Sequence, residues 1–229
     1  MIINIQAEVF SIVLITLVLC LLFVFFGKKV SQVDPTEKPK GLAGFAIHVV
    51  SMLRNVVLSN MGKRGESYAP YVITIFLYIL ISNMSGLLAL KPPTANYSVT
   101  LSFALITWFF IQRASIKTNG IKGYIKGFFE PFAFFVIPNI FGLFGPLISM
   151  SVRLFGNIVG GGVIMTLVYA LGDYLSNTLL AGTPFNFVGT LLAPVLHAYF
   201  DIFSAFLQAF IFISLTTILT SVEFPSEEN

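Results

Sequence analysis

Long apolar runs separated by short polar segments make up most of this chain. Residues 9–26 form the first run, about eighteen residues, which is enough to cross a bilayer. Residues 71–90 and 99–111 form two more. Residues 128–170 and 185–222 are different, about forty residues each, roughly twice what a perpendicular helix needs. Lipid cannot satisfy bare backbone N–H and C=O groups, so runs of this kind predict helices. The expected class is all-α and polytopic. Each long run could fold as a re-entrant hairpin or as one tilted helix bent at Pro138, Pro146 or Pro194. Periodicity leaves that choice open.

Residues 41–62 break the pattern. His48, Ser51, Asn55 and Ser59 recur at steps of three and four, with Arg54 beside them. That is a polar stripe along an otherwise apolar helix. It suits a helix lying in the membrane interface or packed against other subunits better than a spanning one. Residues 31–40 are a polar linker with two prolines. Asn83, Ser85 and Gly86 mark one helix for close packing, and Trp108 stands near an interface.

Composition agrees. Of 229 residues 56% are hydrophobic and 10% charged, and the mean hydropathy is +0.90. A soluble chain carries about 25% charged residues. The single cysteine, Cys20, excludes an internal disulfide, and two histidines, His48 and His197, give no metal cluster. They also leave no basis for a membrane-embedded enzyme. No inverted or tandem repeat is evident, which argues against the common secondary-transporter folds.

The placement of charge predicts the orientation. Lys28 and Lys29 follow the first run instead of preceding it, the reverse of a secretory signal, so an uncleaved anchor with its N-terminus outside is expected. With five spans, the inner segments hold Lys28, Lys29, Lys38, Lys40, Arg54, Lys63, Arg64, Arg113, Lys117, Lys122 and Lys126. Outside there is only Lys91. The positive-inside rule then selects N-terminus out and C-terminus in.

Arg153 lies deep in the first long run. A guanidinium at the bilayer centre costs about 2.5–3.5 kcal/mol on insertion scales, and arginine cannot shed its proton to escape. Asn157 follows four residues later on the same face. In the second long run His197, Asp201 and Gln208 follow at spacings of four and seven, again one face. Asp173 sits near the outer end. Two readings compete. In one, Asp201 and Arg153 form a buried ion pair. In the other, these groups line an ion path and Arg153 awaits an external carboxylate. Gly160, Gly161 and Gly162 clear side chains from one stretch, either for a second surface or for packing within the chain.

The segment Arg153-Leu154-Phe155-Gly156-Asn157, with Pro146-Leu147 upstream and Gln208 downstream, closely resembles subunit a of the F-type ATP synthases in its short bacterial form. Residues 92–100 and Glu130-Pro131 resemble further segments of that family. The resemblance covers most of the chain. It implies five transmembrane helices plus one amphipathic interfacial helix, the last two forming a long tilted hairpin. The chain then reads as a single membrane domain. It comprises an anchor at 1–30, an interfacial helix at 41–64, a hairpin at 69–116 and the tilted hairpin at 128–222.

The resemblance also implies a function. The partners would be a ring of c subunits, peripheral-stalk b subunits and the rest of the F1Fo complex within a bacterial plasma membrane. No nucleic acid, cofactor or metal is implied, and the chain would not be an enzyme by itself. Ions would enter one half-channel, load ring carboxylates and leave by an offset second one. Arg153 would discharge each arriving carboxylate, with Asn157 and Gln208 orienting its guanidinium. The half-channel linings depart from the family. Many relatives have a glutamate or histidine nine residues after the arginine, where this chain has Gly162. Asp201 stands where many have a histidine or glutamate, and Asn139 and Asn96 replace acids. Asp201 is the favoured relay, supplemented by His197.

Overall fold

The computed structural model of the chain describes residues 7–33, 39–88, 90–179 and 185–224. Lys38, the turn residues Gly182 and Pro184, and the polar tail at 225–229 lie outside the described residues. Every element among the described residues is helical: α1 (Ala7–Ser31), α2 (Gly41–Met61), α3 (Ala69–Met84), α4 (Tyr97–Gly127), α5 (Val136–Leu179), α6 (Phe187–His197) and α7 (Ser204–Val222). A π-helical stretch, Ala198–Phe203, joins α6 to α7. Short 3-10 turns at Gly62–Ser67, Ser85–Leu88 and Pro93–Ala95 connect the earlier helices.

The outside of the molecule is apolar. Leu21, Phe109, Phe141, Leu167 and Val195 are all exposed. Such a surface aggregates in water and is at rest in hydrocarbon. Among the described residues six helical stretches are long and apolar enough to cross a membrane, including Gly41–Ser67. The all-α polytopic expectation therefore holds.

Lipid offers no hydrophobic drive between helices, so the bundle packs through small residues. On α4, Thr100, Ala104, Thr107, Ile111 and Ala114 are buried at steps of three and four. On α7, Ala205, Ala209, Phe212, Thr216 and Thr220 repeat the pattern. These stripes close on Val72, Ile75, Phe76 and Ile79 of α3. Hydrogen bonds cross the seams. The hydroxyls of Tyr71 and Thr107 lie 2.7 Å apart, and Asn60 Nδ2 donates to Thr217 Oγ1 at 2.8 Å.

Two boundaries differ from the expected ones. The run at 99–111 is only part of α4, which continues to Gly127 and carries Lys117, Lys122 and Lys126 on helix instead of loop. A lysine stem can follow the apolar face and put its charge in water, so the helix outlasts the apolar run. It breaks its axis at Gly120, whose φ of 68° and ψ of 164° only glycine adopts without strain. The first long run is one helix of 44 residues, α5, about 66 Å at 1.5 Å per residue. Pro138 falls in its first turn, where a missing N–H costs nothing, so only Pro146 is interior. There Trp108 Nε1 donates to the Leu143 carbonyl at 2.9 Å, and its ring stacks on Phe144.

The second long run, residues 187–222, is also one helical rod of 36 residues. It lies antiparallel to α5 in constant register. Gly172 meets Gly189, and eleven residues further along each helix Gly161 meets Phe200. Four further along each, Asn157 meets Ser204. After four more, Arg153 and Gln208 line one gap.

Candidate functional site

That register gathers the polar residues of the two rods onto one seam. From Arg153 to Tyr169 on α5 the seam is about 24 Å long by helical rise, most of a hydrocarbon thickness of about 30 Å.

Arg153 occupies one end and is exposed. Its Nη2 has one weak contact, to Ser149 Oγ at 3.5 Å. Among the described residues it has no carboxylate partner. The buried Arg153–Asp201 pair, one of the two readings open from sequence, is not formed. Opposite stands Gln208, with Met150, Leu154, Ile211, Phe212 and Leu215 completing a narrow gap between α5 and α7. No hydrogen bond joins Arg153 to Gln208. One turn away Ser204 Oγ donates to Asn157 Oδ1 at 2.7 Å, which ties the rods together beside the arginine.

Asp201 is held elsewhere. Its Oδ2 lies 2.5 Å from His197 Nδ1, and His197 Nε2 lies 3.1 Å from Tyr169 Oη. With Nδ1–H donating to the carboxylate, Nε2 accepts from the phenol. The result is a chain of three titratable side chains across the seam. The π-helical stretch carries Asp201. Its i→i+5 bonds advance the chain more slowly around the axis, so the spacing from His197 to Gln208 no longer stacks them on one line. The two ends of the seam therefore hold different chemistry.

Tyr169 and the helix-capping Asn186 escaped the sequence reading. Tyr169 is remote in sequence from His197 and not at its register level. Side chains lean toward their own helix N-terminus, and in an antiparallel pair these two lean toward each other. Asn186 Oδ1 accepts from Gly189 N at 2.7 Å and its Nδ2 donates to the Tyr169 carbonyl at 2.9 Å. Its place before an apolar run was a helix-start signal that could have been used.

The glycines divide. A Cβ on Gly161 would lie 3.1 Å from the Phe200 ring, so this glycine faces the partner rod. Nothing lies within 4 Å of a Cβ on Gly156, Gly160 or Gly162. Gly156 and Gly160 follow Arg153 at steps of three and four, so a bare strip runs from the guanidinium along the outer face. Asp173 is exposed at the far end of α5, outside the Tyr169–His197–Asp201 chain. Asn139 is not on the seam; its Nδ2 donates to the Phe128 and Glu130 carbonyls, both at 3.0 Å, and caps the approach to α5. Among the described residues no cluster of three metal-binding side chains exists.

Fold and site together define a multi-pass helical membrane protein whose longest helices present a permanent cation with no acid paired to it among the described residues. Comparison with known proteins narrows the class. Residues 9–221 match the family model described as ATP synthase A chain, and the chain belongs to that family. It is 32% identical over 226 residues to ATP synthase subunit a 2 of Chlorobium luteolum, covering 94% of this chain and 64% of that protein. It is 31% identical to ATP synthase subunit a of Mycoplasma pneumoniae, covering 91% and 76%. The corresponding protein of Mycoplasmoides gallisepticum is 29% identical, over 97% of this chain and 80% of that one. The chain thus spans under two thirds of the Chlorobium relative's length.

Proposed function

We propose that this chain is the stator ion-channel subunit, subunit a, of the Fo sector of a rotary ATP synthase. The observation that carries the reading is Arg153, an exposed cation on an apolar helix with no carboxylate partner among the described residues. A charge so placed needs an acid supplied by another protein. A ring of c subunits sliding past the bare strip of Gly156 and Gly160 supplies one at each step.

An arriving carboxylate is drawn to the guanidinium, which favours its ionised form and expels the bound H+ or Na+. As a fixed cation Arg153 also bars a direct leak between the two half-channels. Tyr169, His197 and Asp201 relay ions on one side of it. Gln208 from the facing rod, and Asn157 one turn along the same helix, limit the guanidinium's freedom. The driving field is about 2.3 kcal/mol per charge per 100 mV. The chain has no catalysis of its own and works only with the c ring, the b subunits of the peripheral stalk and the rest of the complex, in a bacterial plasma membrane.

We read the topology as five spans plus an interfacial α2. Three observations favour this. His48, Ser51, Asn55 and Ser59 all stand exposed, and lipid would not solvate that stripe. Arg54 pairs with Glu66 in the turn after α2. The end of α2 meets the end of α7 through Asn60 and Thr217, at the end of the bundle where the positive-inside rule puts the cytoplasm.

The test is reconstitution. The purified chain in liposomes should conduct no ions, and the complex assembled with c ring and stalk should pump on ATP addition. Ion-coupled transport by the chain alone would replace this reading with a self-sufficient transporter.

A further inference from the structure

A cavity of about 800 Å³ opens at the end of the bundle where α3 begins and α7 ends. It shares no lining residue with the gap at Arg153. Its size falls within the range of small-molecule sites, about 300–1,000 Å³. Among the described residues three cations line it, Arg64, Arg113 and Lys117, and no acid does. Its other walls include Tyr68, Phe110 and Phe224. The aromatic rings brace one another, Tyr68 lying edge-on to Phe110 at 6.4 Å and to Phe224 at 6.2 Å. The Arg64 guanidinium rests over the Phe224 ring at 5.5 Å.

Arg113 and Lys117 are four residues apart on α4, where like charges repel. Neither has an ion-pair partner among the described residues. The folded chain thus sets Arg113 and Lys117 side by side on a concave, aromatic-walled space with no ion pair for either among the described residues. An anion resolves this, and a phosphate, with several acceptor oxygens, suits a guanidinium fork beside an ammonium.

The surroundings choose the kind of phosphate. Phe109 and Ile106 lie four and seven residues before Arg113 on the same helix face and are exposed, at 60% and 47%. They form an apolar track leading from the cavity into the membrane. A free phosphate has no use for such a track, and an acyl chain does. Basic pockets between helices at the inner membrane surface suit anionic headgroups. We propose that this cavity binds the phosphate headgroup of an anionic membrane phospholipid, with its acyl chains laid along the outer face of α4.

The proposal concerns lipid binding and is independent of ion transport, so either can fail without the other. The full-length chain in neutral detergent is titrated with phosphatidylglycerol and with phosphatidylcholine, and retained lipid is counted by native mass spectrometry. Phosphatidylglycerol should be retained selectively. The Arg113→Gln/Lys117→Gln variant should lose that affinity by about tenfold or more, while Lys122→Gln, further along α4, binds as the parent does. An unchanged thermal unfolding profile confirms that the double variant is folded. Should that variant fail to fold, protection of Lys117 in the unmodified chain from amine acylation by phosphatidylglycerol, and not by phosphatidylcholine, gives the same answer. Equal binding of both lipids, or undiminished binding by the folded double variant, overturns the proposal. Displacement of the lipid by excess inorganic phosphate reassigns the cavity to a free anion. Protection of Lys117 in the assembled complex after delipidation assigns it to a protein partner. Either result also overturns it.

Discussion

The Tyr169 hydroxyl lies 3.1 Å from Nε2 of His197, across the seam between the two long helices. His197 in turn holds Asp201 through Nδ1 at 2.5 Å. The carboxylate is therefore occupied some distance from Arg153, which keeps the cation available. A direct pair between them would satisfy both groups and close the path.

Removal of the phenol tests this chain of contacts. Tyr169→Phe deletes one hydrogen bond and leaves the ring in place. A hydrogen bond of this kind is worth about 0.5–1.5 kcal/mol, so ATP-driven pumping in vesicles should slow about three- to tenfold. Because the phenol bonds the imidazole nitrogen that Asp201 leaves open to the proton, the pH profile of pumping should move as well. A slower rate with an unmoved profile would mean that Tyr169 only packs.

Asp201→Asn keeps the shape of the side chain and removes its charge. Transport through the half-channel containing Asp201 should slow severely or stop, as measured by passive ion flux through the Fo sector stripped of F1. His197 alone does not replace the carboxylate, because its Nδ1 then faces an amide. An unaffected flux would move the relay to Asp173, the remaining described acid near that end of α5.

Much of this architecture was legible in the sequence because lipid imposes few solutions. The lengths of the apolar runs and the lone Arg153 both follow from the cost of polar groups in hydrocarbon. The choice between a re-entrant hairpin and one rod was not legible, because an all-round apolar run has no phase to read. Contacts set by register were hidden too. Tyr169 reaches His197 because two helices lean toward each other, and no local spacing records that. The π-helical stretch at Ala198–Phe203 was equally silent, and it is what separates Asp201 from the Gln208 line.

Glycines at the seam should differ in what they tolerate. A Cβ on Gly172 would come within 2.7 Å of the Gly189 backbone nitrogen, which cannot yield without parting the helices. Gly172→Ala should therefore destabilise the chain by about 1–3 kcal/mol, seen as a lower unfolding temperature in detergent. Gly161→Ala meets only the Phe200 ring at 3.1 Å, which can turn, so its effect should be smaller. Gly160→Ala and Gly162→Ala add a methyl to open space and should leave the isolated chain as stable or slightly more so, since alanine favours helix over glycine by about 0.8–1.0 kcal/mol. If these two variants are stable alone yet assemble or turn poorly with the c ring, the open face is the one the ring passes.

The charge on Arg153 has no partner to explain it within the described chain, so its removal should improve insertion and abolish function together. Arg153→Ala relieves a burial cost of about 2.5–3.5 kcal/mol on insertion scales, and the variant should insert at least as well as the parent. Its assembled complex should nonetheless fail to pump on ATP, because nothing remains to discharge the ring carboxylates. It should also leak ions passively, because the barrier between the half-channels is gone. Arg153→Lys separates charge from geometry. The ammonium keeps the cation but lacks the planar fork, and in an apolar setting it can shed its proton where a guanidinium cannot. Coupled pumping should fall at least about tenfold in this variant, by the loss of one charge-assisted contact. Coupled pumping retained by the assembled alanine variant would remove Arg153 from the centre of the mechanism.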